Sequence, residues 1–176
     1  MVERSTASQT FYSELDSPVG TLLLLGDGEV LQGVYMDAQK HRPSLPAGAE
    51  RSEPRFAAAR EQLRAYFAGR LRRFELALGA AGSPFQKQVW QALLDIPFGE
   101  TESYGALARR IGNANASRAV GLANGRNPLG IIVPCHRVVG ANGALTGYGG
   151  GLERKQWLLA HERRHALAPS AGRRAS

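Results

Sequence analysis

The chain has 176 residues, 43% of them hydrophobic, which is enough for a packed core in one ordinary domain or two small ones and argues against global disorder. It has no apolar run near the roughly 18–20 residues of a membrane span, no secretory signature in Met1-Val-Glu-Arg-Ser5, and one cysteine, which excludes an intramolecular disulfide and a cysteine-rich zinc site; a cytoplasmic protein is expected. The net charge of +7 points to a polyanion, nucleic acid ahead of a membrane surface, although Arg163, Arg164, Arg173 and Arg174 inflate it without defining a binding face.

In chain order, Met1 to Gln9 reads as a loose polar arm. Phe11–Leu15, Thr21–Leu25 and Val30–Met36 read as short strands, and the turn chemistry of Asp16-Ser-Pro-Val-Gly20 and Gly26-Asp-Gly28 predicts antiparallel hairpins. Residues 37–54, with Pro43, Pro46 and Pro54, read as a long surface loop. A helix is predicted from Arg55 to Ala68, with Phe56, Ala59, Leu63, Tyr66 and Phe67 on a core face and Gly69 just past its end. Phe74–Leu78 alternates like a further strand, and Gly79-Ala-Ala-Gly82 reads as a linker.

The second half opens on Ser83-Pro-Phe-Gln86, a capping residue, a proline at the first helical position and a glutamine placed to close a capping box. Phe85, Val89, Ala92 and Leu93 form the buried face of that helix. Ser103–Ile111 is a second helix, stopped by Gly112. A third runs from Ala116 to Asn124, with Asn115 as its cap and Gly125 past its end. These two short helices make a helix-turn-helix candidate. Asn142-Gly143 signals a tight turn, Gly147–Gly151 a loop, and Leu152–Glu162 a final helix packed through Trp157, Leu158 and Leu159. The fold class expected is α+β: an α/β domain with an antiparallel sheet over 1–80, a mostly helical, winged-helix-like domain over 83–165, and a disordered tail over 166–176.

The chemistry centres on Asn127-Pro-Leu-Gly-Ile-Ile-Val-Pro-Cys-His-Arg-Val138. A lone cysteine is commonly an inert core residue, but Cys135 is followed by His136 and Arg137, neighbours that favour thiolate. Reaction at the thiol needs a base within reach, directly or through one water, and a carboxylate to hold that base in its tautomer. His136 is the candidate base. Spacing alone does not choose between Glu162 and Glu153 as the carboxylate. Ala116, Ser117, Ala119, Gly121 and Ala123 are small, which lets their helix approach a surface closely, and Arg118 is the one long side chain near its start. An alanine-rich helix packed on its neighbours would look the same.

Pro134-Cys-His-Arg-Val138 resembles the active-site signature of the O6-alkylguanine-DNA alkyltransferases (methylated-DNA–protein-cysteine methyltransferases). The resemblance extends over Phe85–Trp90, Ile96–Thr101, Ser103-Tyr104, Arg118–Gly121, Asn127-Pro128, Leu145–Gly150, Lys155 and Leu158–Glu162, in the family's order and spacing. It implies single-use transfer of an alkyl group from O6-alkylguanine, and more weakly from O4-alkylthymine, in duplex DNA to Cys135 after base flipping, with no cofactor. It implies His136, Glu162 and a water as the activating relay, Asn127 bracing the turn, Tyr104 hydrogen-bonding the base, and Lys155 assisting. Val138, Tyr148 and Gly149 would line the base pocket; some members carry serine where Gly149 stands. Arg118 would fill the space of the extruded nucleotide, and Ala116, Ser117, Ala119, Gly121, Tyr104 and Arg137 would meet DNA through the minor groove, where a helix-turn-helix alone would suggest the major groove. Some members hold a structural zinc through cysteines of the first domain; with no cysteine outside the motif, no metal is expected. A monomer is expected, with cooperativity on DNA left open. Two other readings are a non-catalytic lesion-binding or regulatory relative, disfavoured because such relatives lack the acceptor cysteine, and a thiol hydrolase, which leaves Arg118 and the helix pair unexplained.

Overall fold

The computed structural model describes residues 8–167. Most of the expected N-terminal arm and all of the expected tail from residue 168 on lie outside the described residues. Three strands form almost where the sequence pattern puts them: β1 Phe11–Leu15, β2 Leu22–Gly26 and β3 Leu31–Met36. β1 pairs antiparallel with β2, Phe11 opposite Gly26, and β2 pairs antiparallel with β3, with an irregularity at Leu25/Gly26. β2 lies between its neighbours, and each of its leucines is buried, so it reads as a continuous apolar run where β1 alternates.

The stretch 37–54 is not loop throughout. Glu50–Arg51 forms a short strand, β4, parallel to β1, so the sheet order is β3-β2-β1-β4 and its edge is mixed. Both β4 side chains are exposed, and the pairing is made by backbone, Glu50 N–H to Thr10 O at 3.0 Å and Ser52 N–H to Tyr12 O at 2.9 Å, with an exposed ion pair from Arg51 to Glu14 at 3.6 Å across it. Hydrophobic periodicity carries no trace of such a strand. Phe74–Leu78, expected to be a strand, joins the sheet only through a single bridge from Leu78 to Leu31.

After one 3-10 turn, Pro54–Phe56, helix α1 (Ala57–Phe67) buries Ala59, Leu63 and Tyr66 against the sheet side of the core. In the second half α2 (Pro84–Leu93) begins with the predicted capping box: Ser83 Oγ accepts from Gln86 N–H at 3.1 Å, and Gln86 Oε1 accepts from Ser83 N–H at 2.9 Å. Trp90 joins the buried face in place of Phe85, which is only partly covered, and its indole donates to Ala123 O at 2.9 Å. Helices α3 (Tyr104–Arg110) and α4 (Ser117–Gly125) form the helix-turn-helix pair. Ser103 caps α3 by accepting from Ala106 N–H at 3.1 Å, whereas α4 has no side-chain cap: Ala116, not Asn115, is its N-cap residue, and Gly125 lies inside the helix.

Strands β5 (Glu102–Ser103) and β6 (Val138–Val139) pair in parallel and bring the start of α3 beside the cysteine segment. The last helix, α5 (Leu152–Ala166), runs on past Glu162 into the first residue assigned to the tail. Buried residues of both halves form one continuous core cluster. Among the described residues, no helix is long and apolar enough to cross a membrane.

The capping box satisfies donors that the first turn of α2 would otherwise leave to solvent, so Ser83→Ala should cost about 1 kcal/mol. In urea titrations this lowers the midpoint without changing the slope. An unchanged midpoint would show that the box contributes nothing.

Candidate functional site

The site is built on a coil between α4 and β6. Ile131-Ile132-Val133 is buried as its composition predicts, yet it does not run out as an extended segment. Ile131 has φ 72°, a left-handed conformation unusual for a β-branched residue, and Ile132 N–H closes onto Gly130 O at 2.8 Å. Asn127 stitches the coil, its Nδ2 donating to Val133 O at 2.8 Å and its Oδ1 accepting from Leu129 N–H at 3.0 Å. Strand β3 clamps it from the other half, with Val34 N–H to Pro128 O at 2.8 Å and Gly130 N–H to Val34 O at 3.1 Å. The coil delivers Cys135 into a 3-10 turn, Cys135–Arg137, that is buried throughout.

Burial pushes the Cys135 thiol up, partly offset by the Asn127 amide and the Lys155 charge. His136 is fully buried, and its Nε2 lies 2.7 Å from Glu162 Oε1. Glu162, equally buried, also accepts from Arg137 Nε at 2.9 Å, Arg137 Nη2 at 2.9 Å, Tyr66 Oη at 2.8 Å and Gly99 N–H at 3.2 Å. Burial opposes its ionisation, but His136 and Arg137 together hold the carboxyl well below the usual range. Burial, reinforced by Arg137 and Lys155, lowers His136 against the pull of Glu162. At neutral pH the pair is therefore a carboxylate and a neutral imidazole. The carboxylate fixes the tautomer: Nε2–H donates to Glu162, and Nδ1 keeps its lone pair. Nδ1 is buried with no partner among the described residues.

Lys155 is fully buried on α5 and donates to Val138 O at 2.6 Å, Thr146 O at 3.0 Å and Gly147 O at 3.3 Å. Burial lowers its pKa. Tyr104, the first residue of α3, donates to the same Thr146 carbonyl at 3.2 Å, and Lys155 Nζ lies 6.0 Å from its ring centroid. Burial raises the Tyr104 and Tyr148 hydroxyls, and the nearby Cys135 adds to both shifts. The Tyr148-Gly149 loop is tied to the first half by Lys40 N–H to Gly149 O at 2.9 Å. A Cβ at Gly149 would meet only ordinary contacts near 3.6 Å, so the backbone has room for a side chain there. At Gly150 it would lie 2.5 Å from Met36 Sδ, so that glycine is required by close approach.

The outward face of α4 carries Arg118 and Ala119, with Ser117 and Gly121 partly covered, and Gly121 lies beside the Tyr104 ring. Arg118 is exposed and makes no hydrogen bond or ion pair among the described residues. Two of the residues expected to meet DNA are buried. Ala116 is 9% exposed and packs in the core. Arg137 is 6% exposed and turned inward, because its donors are taken by Glu162 and by Ile96 O at 2.6 Å. Neither can reach a partner without leaving those contacts.

Glu153 is exposed, so structure settles the carboxylate that spacing could not. Three groups in the network escaped sequence reasoning: Tyr66, Gly99 and Asn124, whose Nδ2 donates to Cys135 O at 3.3 Å. Tyr66 was read correctly as core, but a tyrosine on an otherwise apolar face implies a partner for its hydroxyl. Asn124 in the buried row of an alanine-rich helix gave a similar signal. Gly99 acts through its backbone, which no residue type announces. Among the described residues, no three His, Cys, Asp or Glu side chains gather as a metal site.

The sign of the pH dependence follows from these shifts. Folded His136 and Glu162 both resist protonation relative to ordinary values of 6.5 and 4.5, and the buried His161 is also lowered. The unfolded chain therefore binds more protons below those values, and stability must fall with acid. Urea titrations should show the loss beginning as pH drops through about 6.5 and steepening below about 4.5. A stability flat between pH 7 and 4.5 would contradict a neutral buried His136.

Residues 84–164 match the family model described as 6-O-methylguanine DNA methyltransferase, DNA binding domain, and residues 10–80 match its ribonuclease-like domain. A methylated-DNA–protein-cysteine methyltransferase of Mycolicibacterium paratuberculosis is 57% identical over 158 residues, covering 89% of this chain and 94% of that protein. One from Methanosarcina acetivorans is 52% identical over 149 residues, covering 85% and 96%. The Mycobacterium tuberculosis OGT solved in complex with DNA superposes with a TM-score of 0.85 at 52% identity, over 88% of this chain and 94% of that one. With a cysteine, histidine and glutamate assembled as described and similarity running through both halves, the chain belongs to the 6-O-methylguanine DNA methyltransferase family.

Proposed function

We propose that this protein repairs DNA by direct reversal, as a single-turnover methylated-DNA–protein-cysteine S-methyltransferase. The observation that carries the reading is the geometry at the turn: a buried Cys135, and next to it a buried His136 whose Nε2 lies 2.7 Å from Glu162 Oε1 while Nδ1 has no partner among the described residues. Nδ1 accepts the thiol proton through one water. The Cys135 thiolate then attacks the alkyl carbon on guanine O6, the carbon–oxygen bond breaks, and a thioether remains on the protein. The guanine leaves with its negative charge countered by the Tyr104 hydroxyl. Lys155 holds the Val138, Thr146 and Gly147 carbonyls that frame the base, and it touches Tyr104 through their shared Thr146 acceptor. Asn127 keeps the strained coil in register behind the cysteine.

The partner is double-stranded DNA. The α4 face of Arg118, Ser117, Ala119 and Gly121 enters the minor groove, where small side chains allow close approach. Extruding a base costs a few kcal/mol, and Arg118, exposed and unpaired among the described residues, offsets it by filling the gap and neutralising phosphate. The protein acts as a monomer in the cytoplasm.

Intact-mass measurement after incubation with O6-methylguanine DNA should show one methyl added, and none in Cys135→Ser. An unchanged mass with tight lesion binding would replace transfer by recognition alone. Arg118→Ala should slow repair of duplex DNA by about tenfold or more, and reaction with free O6-benzylguanine by less than about twofold, since only the duplex demands extrusion. Equal losses on both substrates would make Arg118 structural.

A further inference from the structure

We infer that Tyr66, on α1 of the N-terminal half, is a positioning residue for transfer, setting through Glu162 the orientation and basicity of His136. This rests on the proposed role of His136 as base. The Tyr66 hydroxyl reaches across the molecule to Glu162 Oε1 at 2.8 Å, the same oxygen that takes His136 Nε2 at 2.7 Å. Tyr66 is fully buried, its ring fixed between Phe67, Phe74, Phe98 and His161. Its hydroxyl therefore has no solvent alternative, and its position is determined by packing.

Three hydrogen-bond donors on one carboxylate oxygen, Tyr66 Oη, His136 Nε2 and Arg137 Nη2, compete for its electron density. Every proton-like share that Tyr66 takes makes Oε1 a weaker acceptor for His136 Nε2–H and so disfavours imidazolium. The other groups facing the pair are Arg137 from the same turn, Lys155 and His161 from α5, Gly99 N–H after α2, and Tyr148 at the pocket. Arg137 supplies the counter-charge. Tyr66 supplies the neutral donor that tempers Oε1 without adding charge. Burial and Glu162 push the Tyr66 hydroxyl well above its ordinary value, so it remains a donor across the working range.

Tyr66→Phe keeps the ring and removes only the hydroxyl. With one donor lost, Oε1 accepts more strongly from His136. The Nε2–H proton resonance at pH 7 should move downfield, and the acid limb of the second-order rate with O6-benzylguanine should climb by about half to one pH unit. Site-specific 3-fluorotyrosine at position 66, a stronger donor that preserves the fold, should shift both readouts the opposite way. Ser83→Ala, which removes the capping box of α2 and leaves Tyr66 and its ring neighbours in place, should lower stability and leave both readouts unchanged. Resonance and limb unchanged in Tyr66→Phe would overturn the inference. Failure of wild-type Cys135 to accept the benzyl group would instead refute the repair reading, and the Nε2–H resonance would still report whether Tyr66 tempers Glu162.

Discussion

Burying an ionised carboxylate without partners costs several kcal/mol, and Glu162 avoids that cost by drawing donors from three other segments of the chain. Tyr66 comes from α1, Gly99 from the loop after α2, and His136 and Arg137 from the cysteine turn. Tyr66 and His136 are fully buried and Arg137 nearly so, which leaves these donors little access to water as an alternative acceptor. The carboxylate thus fastens the two halves at the point where the chemistry needs a fixed imidazole. Stability and orientation come from the same contacts, so loss of one donor should disturb both.

The same burial governs the resting state of the acceptor. It raises the Cys135 thiol and lowers His136, so burial disfavours both a standing thiolate and an imidazolium until something enters the site. For a residue used once, this is the economical arrangement. A standing thiolate would be spent on any stray electrophile. On the proposed mechanism, a buried thiol whose proton is drawn off through His136 is activated when a base occupies the pocket and the alkyl carbon is aligned.

Sequence carried much of this, and where it failed the reasons are physical. The capping box at Ser83, the three strands, the helix pair and the cysteine turn are all written in local pattern, because each depends on side-chain type at fixed spacing. β4 is illegible because backbone hydrogen bonds and one exposed ion pair hold it, with no buried apolar side chain. Arg137 and Ala116 were assigned outward because residue type suggests a role but not a direction; the direction was set by a buried carboxylate distant in sequence and by the packing of α4. Glu162 looked like an ordinary glutamate late in a helix. Its meaning depends on Tyr66, 96 residues away, and no spacing rule reaches that far.

The linker at Gly79–Gly82 invites a division into a variable first half and a working second half, and the contacts argue against it. β3 grips the strained coil ahead of Cys135 through Val34, the segment after β3 holds the Tyr148-Gly149 loop through Lys40, and Asp37 pairs with Arg154 at the start of α5. Tyr66 completes the set from behind. Ile131 sits at φ 72°, a conformation that persists only when its surroundings over-determine it, and two of the hydrogen bonds that do so come from Val34. The first half is therefore the back wall of the site. The few of its residues that touch the coil, the loop and Glu162 are under the same geometric demand as the cysteine turn itself.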